Sequence, residues 1–287
     1  MSNYDELSLI EARDLLRQWR ENNERNSEDV TRLWCNVISS QLNKLGNERH
    51  LVNEQTIYAA LDCQANSIAN MCLYQLSIDF PGSIRVMRHK AAILEAEEKY
   101  EEALEVLDSI IKADETNAPA RKRVVAILKA QGLITEAIKE LVDYLKKFMS
   151  DVEAWQELCE LYLQVQEYSR AAFCAEELIL HQPHNNLMHQ RLADIRYTMG
   201  GLENLELAKT YYCQALKLNP ENMRALFGLF LVTNNLLQHY KSSGNKKTSE
   251  LWKLCQWTQS KAHRVSASSP ASQATLTNMM LTLAITE

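Results

Sequence analysis

"VEAWQELCELYLQVQEYSRAAFCAEELILHQPHN", residues 152–185, decides the fold of this chain. Apolar residues fall at helical spacing at Leu158 and Tyr162 and again, past an intervening turn, at Leu178. Pro183 closes the second run, because proline has no N–H to give and clashes with the preceding helical turn. Cys159 and Ala171 are small, which lets the two short helices approach closely. Trp155, Leu158 and Tyr162 are large and fill the space formed with the following unit.

The same design recurs along the chain at a constant interval. Ala69, Ala103, Ala137 and Ala171 are evenly spaced, and an independent column of Ala91, Val125, Cys159 and Ala193 keeps the same interval. Pro81 and Pro183 are three such periods apart. Two helices per period of about 34 residues resemble the tetratricopeptide repeat, an all-α superhelical solenoid. Residues 152–185 match it well, with Trp155, Leu158, Cys159, Tyr162, Ala171 and Pro183 at repeat positions 4, 7, 8, 11, 20 and 32. The register predicts repeats over 50–83, 84–117, 118–151, 152–185 and 186–222, with a capping unit over 223–239.

The fifth repeat slips. Ala208 and Pro220 each come three positions later than the period counted from Ala171 and Pro183 requires, so three extra residues enter between 193 and 208. Gly200 occupies the turn position that Gly132 holds two repeats earlier, and Gly201 with its neighbours reads as the insertion. No strand precedes this pair, and neither GxGxxG nor GxxxxGK[ST] surrounds it, so it is a turn and not a phosphate cradle.

Helical segments are expected on both flanks: an N-terminal cap over 1–49 and C-terminal helices with flexible breaks over 240–287. "SLIE", Ser8 to Glu11, is a capping box. Asn26 is the expected N-cap of a helix running to a stop at Gly46. After Tyr240 a polar loop, "KSSGNKKTS", precedes the amphipathic "ELWKLCQWTQSKAH". "RVSASSPAS" then breaks the chain before a final helix, "QATLTNMMLTLAI".

Bulk composition agrees with a helical array. Gly (7) and Pro (5) are scarce among 287 residues, which argues against a turn-rich β protein. A net charge of -6 leaves no global footprint for nucleic acid. Seven cysteines, none in a CxxC pair, suit reduced thiols in a cytosolic setting. The acidic N-terminus lacks the apolar core of a signal peptide. The longest apolar run, "ALFGLFLV" at 225–232, falls far short of the roughly 20 residues that span a bilayer.

No catalytic constellation can be assembled from local motifs, so no enzymatic role and no cofactor are expected. His181, His184 and His189 lie close in sequence, but across a helix end, with no cysteine or carboxylate completing a metal-ligand set. Cys72 and Cys174 share repeat position 23, which reads as a packing column. What such an array offers is a groove. Helix-A positions 2, 5, 9 and 12 face its concave side. They place Arg85, Arg88, Lys122 and Lys129 in repeats two and three, and Glu153, Glu160 and Asp194 in repeats four and five. Complementarity to a charged partner segment would favour specificity and on-rate, while the alternative is that these charges only solvate the groove. Chaperone-binding repeats hold a C-terminal carboxylate with a Lys/Asn/Arg clamp on these positions. Leu51, Glu54, Tyr58 and Leu61 cannot form one, and Ala126 interrupts Lys122 and Lys129.

Particular segments carry more than the period does. "QWRENNERNSE" (18–28), "FPGSIRV" (80–86), "NAPARKRVVAILKAQG" (117–132), "AAFCAEEL" (171–178) and "GGLENLELAKTYYCQALKLNPENMRALFGL" (200–229) together resemble the subunit 2 family of the endoplasmic reticulum membrane protein complex. The resemblance runs from about residue 12 to the end, most loosely after 240. It implies a non-catalytic scaffold on the cytoplasmic side of the endoplasmic reticulum membrane. Such a subunit holds cytosolic parts of membrane-embedded subunits and docks cytosolic subunit 8 or 9. The complex inserts tail-anchored and certain multispanning proteins. Membrane association would be indirect, and a soluble peptide-binding adaptor or co-chaperone is the alternative reading. On this reading Gly200 and Gly201 shape a partner-facing edge.

Overall fold

In the computed structural model the Cys159 thiol lies 3.5 Å from the Ala171 carbonyl, and both residues are buried. That contact joins α9 (Val152–Gln164) to α10 (Tyr168–His181). The structure describes residues 7–241 and 247–265, and among these it contains helices and turns but no strand. Two helices lead in, α1 (Leu9–Glu21) and α2 (Ser27–Leu33). The helix-A and helix-B pairs follow in chain order: α3 (Glu48–Asp62) and α4 (Asn66–Asp79); α5 (Ile84–Ala96) and α6 (Tyr100–Ala113); α7 (Ala118–Ala130) and α8 (Ile134–Lys147); then α9 and α10. The last two are α11 (Asn186–Met199) with α12 (Leu202–Leu218), and α13 (Met223–Lys241) with α14 (Lys247–Val265). The chain divides into two compact units, Met1–Glu140 and Leu141–Glu287.

Both small-residue columns lie in the core. Ala69, Ala103, Ala137 and Ala171 are all inaccessible to solvent, as are Ala91, Cys159 and Ala193, with Val125 nearly so. In the first unit Trp19, Leu33, Ile57 and Leu76 share one cluster, and Leu107, Ile110 and Ile127 share another. In the second, Tyr212, Phe230 and Leu236 anchor the core of α11 to α14. Burying one such side chain contributes about 1.5–3 kcal/mol, so the column residues matter less for their own area than for the packing they permit.

The turns are as periodic as the core. Gln64, Glu98, Gly132, Gln166 and Gly200 all have positive φ, between 57° and 76°, and they recur once per repeat at the same interval as the alanine columns. Four N–H groups reach back five residues across these turns: Ala65 to Ala60, Lys99 to Leu94, Leu133 to Leu128 and Glu167 to Tyr162, at 2.8–2.9 Å. This bond closes the end of helix A by satisfying a carbonyl that helix geometry leaves open. Ser83 makes no side-chain cap at α5, but the later helices A, α7, α9, α11 and α13, are each capped by a short polar side chain. Asn117, Asp151, Asn185 and Asn222 accept from Ala120, Ala154, Leu187 and Ala225 N–H at 3.1–3.2 Å.

The three-residue insertion is absorbed by helices and not by the turn. In the four preceding pairs the A-to-B turn has three residues, as at 97–99; here only Gly200 and Gly201 separate α11 from α12. Meanwhile α11 has 14 residues against 13 in α9, and α12 has 17 against 14 in α10. Gly200 (φ 71°, ψ −175°) and Gly201 (φ 81°, ψ 152°) occupy a backbone region essentially closed to other residues. Two such glycines reverse the chain in the space that three residues take elsewhere. Asn204 Nδ2 then donates to the Gly200 carbonyl at 2.9 Å.

The flanks depart from expectation in three places. The Ser8–Glu11 capping box forms, but Asn26 makes no cap; its Nδ2 donates to Glu24 at 3.3 Å. The helix expected to run on to Gly46 changes pitch, through a π turn at Trp34–Ile38 and a 3₁₀ stretch at Ser39–Leu45 broken at Gln41. Trp34, Val37, Ile38 and Leu42 are buried, and that burial overrides the regular pitch across Ser39 and Ser40. Residues 223–239 form no short cap: α13 runs 19 residues and pairs with an equally long α14. The final helix expected after 272, and most of both polar breaks, lie outside the described residues.

Candidate partner-binding surface

Helices A carry two grooves, one in each unit. The first encloses about 600 Å³ against α1, α3 and α5, with Trp19, Leu51, Tyr58 and Arg85 among its walls. Its lining is laced with polar bonds: Arg20 donates to Gln55, Arg85 to Glu54, and Arg25 and Ser27 both to Asp62. Outside the lining, Glu48 accepts from Arg17 and Arg20. The Arg25 hydrogen bond, then that of Ser27, holds the Asp62 carboxyl below its ordinary range. Beneath lies His89, 3% exposed, with the Tyr58 ring edge-on at 5.4 Å. Its Nε2 is 3.3 Å from Glu54 without hydrogen-bond geometry, and neither ring nitrogen has a partner. Burial therefore wins over the nearby carboxylate, and the His89 pKa is lowered.

The second groove, about 510 Å³, lies along α9, α11 and α13, with Gln156, Leu187, Arg191, Asp194 and Arg224 on its walls. Asp194 accepts from the Tyr212 hydroxyl at 2.5 Å and from Arg224 Nε at 2.9 Å. Burial raises the Tyr212 pKa, and the Asp194 bond raises it further, so the phenol remains a donor.

The seven charges expected on this face separate by unit. Arg85, Arg88, Lys122 and Lys129 belong to the first, and Glu153, Glu160 and Asp194 to the second. Arg85 and Asp194 line the grooves themselves. Arg85 pairs with Glu54, Glu160 with Arg191, and Asp194 with Arg224. Arg88 makes no ion pair among the described residues. These pairs follow a rule that reasoning by repeat position missed. With Arg123–Glu95, each joins a helix A to the next helix A, at sequence separations of 28 to 31. A search for opposite charges at that separation would have found Glu54, Glu95, Arg123, Arg191 and Arg224. Exposed pairs of this kind contribute about 0–1 kcal/mol, so a partner's charges can replace them at little cost.

The other sequence candidates separate cleanly. His189 is buried with Nε2 2.8 Å from the Pro183 carbonyl, while His181 and His184 are exposed. Among the described residues no group of three His, Cys, Asp or Glu is placed to hold a metal. Cys72 and Cys174 are buried thiols whose pKa burial pushes up to about 12. Gly200 is half-buried and Gly201 exposed at the start of α12. No described helix is long and apolar enough to cross a membrane.

Residues 72–216 match a family model described as the EMC2 TPR-like repeat domain. The ER membrane protein complex subunit 2-A of Xenopus laevis is 43% identical over 294 residues, covering 100% of this chain and 99% of that protein. The chain belongs to the ER membrane protein complex subunit 2 family. A subunit 2 from Dictyostelium discoideum is 34% identical over 86% of this chain and 80% of its own length. Among solved structures, the C-terminal part of a TPR repeat-containing protein from Cytophaga hutchinsonii superposes with a TM-score of 0.61. It covers 90% of this chain and 97% of that one at 12% identity, a likeness of fold alone. In this subunit 2 family member the repeats thus extend the matched domain at both ends, through α3 and through α14.

Proposed function

We propose that this chain is a non-catalytic scaffold of the ER membrane protein complex, lying on the cytoplasmic side of the endoplasmic reticulum membrane. It supports insertion of tail-anchored and multispanning proteins by holding cytosolic segments of the membrane-embedded subunits and docking cytosolic subunit 8 or 9. Its own association with the membrane is indirect. The observation that carries this reading is the end-to-end relation to a named subunit 2, at 43% identity. The helix-A grooves supply the means. Leu51, Tyr58 and Leu187 expose apolar area there, beside ion pairs that a partner segment can exchange with its own charges. Arg85, Arg88, Lys122, Lys129, Glu153, Glu160 and Asp194 are the contact residues assigned to this role, with Gly200 and Gly201 shaping a neighbouring edge.

The test is capture of the tagged chain, at native expression, from detergent-solubilised membranes. Multispanning partner subunits should co-purify; a monomer confined to the soluble fraction would refute the reading. The alternative, a soluble peptide-binding adaptor, requires saturable binding of an acidic C-terminal peptide that Lys122→Glu with Lys129→Glu abolishes. Ala126, where a clamp residue belongs, counts against it.

A further inference from the structure

The second unit carries an apolar groove away from helix-A charges. It holds about 650 Å³ between the end of α8, α9 and α10. Leu158 and the neutral Cys174 thiol form its floor, and Trp155, Phe173 and Met149 its walls. Trp155 packs edge-on to Phe173 at 6.1 Å, and its indole N–H is already spent on the Met149 carbonyl at 2.8 Å. Yet Phe173 is 54% exposed and Met149 67%. Large apolar side chains left open around a groove mark a binding site more often than a packing fault.

One charge without a carboxylate partner lines it. The Arg170 guanidinium lies 5.7 Å from the Tyr162 ring centroid and makes no ion pair with any described carboxylate. Lys146 also lines the groove, and its ammonium is tied to the exposed Asp143 on its own helix. The same repeat positions elsewhere are different. Two repeats earlier Glu102 replaces Arg170, Lys90 replaces Leu158 and Ser77 replaces Leu145. The combination of apolar floor, aromatic walls and unneutralised arginine is therefore particular to this groove. Its size is that of a small-molecule pocket, about 300–1,000 Å³. Its eleven lining residues fall short of the roughly 20–30 per side of a stable protein interface.

We propose that this groove binds the anion of a long-chain fatty acid, the hydrocarbon lying against Trp155, Leu158 and Phe173 and the carboxylate forked on Arg170. A guanidinium suits this role because its planar donors meet both carboxylate oxygens at once. Methionine at the wall adapts to a flexible chain.

The test displaces a fluorescent fatty acid analogue from the purified full chain with palmitate, below its micelle-forming concentration. Saturable binding of one molecule per chain is expected, and Arg170→Glu should weaken it by about tenfold or more, since a charge-assisted bond is lost and reversed. The alcohol of the same chain length should bind weaker by a similar factor. Phe173→Glu should abolish binding. Tyr74→Glu, in a separate groove of about 450 Å³ that Tyr74, Ser77, Phe80 and Lys90 line in the first unit, should leave it unchanged. Helical circular dichroism should be the same for all three exposed-site variants. Binding that does not saturate, that is equal for acid and alcohol, or that Tyr74→Glu removes as readily would overturn the proposal. So would an acidic peptide that saturates the groove where palmitate does not compete.

Discussion

Gly228 and His89 show how single residues set the behaviour of this chain. Gly228 lies within α13, and a Cβ there would overlap the Tyr212 ring. The glycine lets α12 and α13 close over a phenol whose hydroxyl is needed by Asp194. Gly228→Ala should therefore destabilise the chain by about 1–3 kcal/mol despite its better helix propensity, because overpacking outweighs the propensity gain. Denaturant unfolding measures this, and an unchanged or raised midpoint would contradict it. His89 gives a pH dependence. Its folded pKa lies below the ordinary 6.5, so the unfolded chain takes up the proton first as pH falls. Stability from this site is complete above about pH 6.5 and is lost below it. Glu54 faces it from α3, where it favours the charged imidazole, and Arg88 and Arg85 from α5 oppose it. Between pH 7.5 and 5.5 the melting temperature should fall further for the wild type than for His89→Gln; equal falls would show that His89 takes up its proton as readily in the fold as in the unfolded chain. Sequence showed His89 only as one helical residue among others. Nothing local announced that Tyr58 and Glu54, a whole repeat earlier in the chain, would enclose it.

At the scale of the element, the period was legible and the pitch was not. The alanine columns identified every helix pair from α3 to α12 because close approach demands a small side chain at fixed spacing. The left-handed column was hidden, since Gln64, Glu98 and Gln166 do not advertise positive φ as Gly132 and Gly200 do. The π and 3₁₀ turns after α2 were hidden for another reason: tertiary burial of Trp34 and Ile38 decides them. The slip in register was visible, but its destination was not, because sequence counts residues between landmarks without saying whether turn or helix takes them. Two changes test these elements. Asp151 caps α9 and also accepts from Tyr144 at 2.6 Å, so Asp151→Ala should cost about 1–2 kcal/mol in unfolding experiments, more than a cap alone. Deleting 201–203 removes one glycine and the first residues of α12. Hydrogen exchange should show the other helix pairs still protected, with assembly weakened; undiminished assembly would deny this edge a role.

For the molecule as a whole, the family and its repeats were readable from ordered segments along the chain, whereas the pairing of its groove charges was not. Each concave charge was read singly, yet Arg85, Glu160 and Asp194 have partners in an adjacent helix A. That pairing separates stability from binding. Arg224 is exposed, so Arg224→Ala should change unfolding by less than about 1 kcal/mol. The same substitution should reduce recovery of partner subunits if the second groove holds one of them. A loss of recovery that merely tracks a loss of stability would remove the groove from the account. The most direct measurement is quantitative mass spectrometry of the chain captured, at native expression, from detergent-solubilised membranes. Multispanning subunits recovered in constant proportion to the chain are the predicted result. Recovery of the chain alone, or only from the soluble fraction, would contradict its role as a scaffold of the membrane complex.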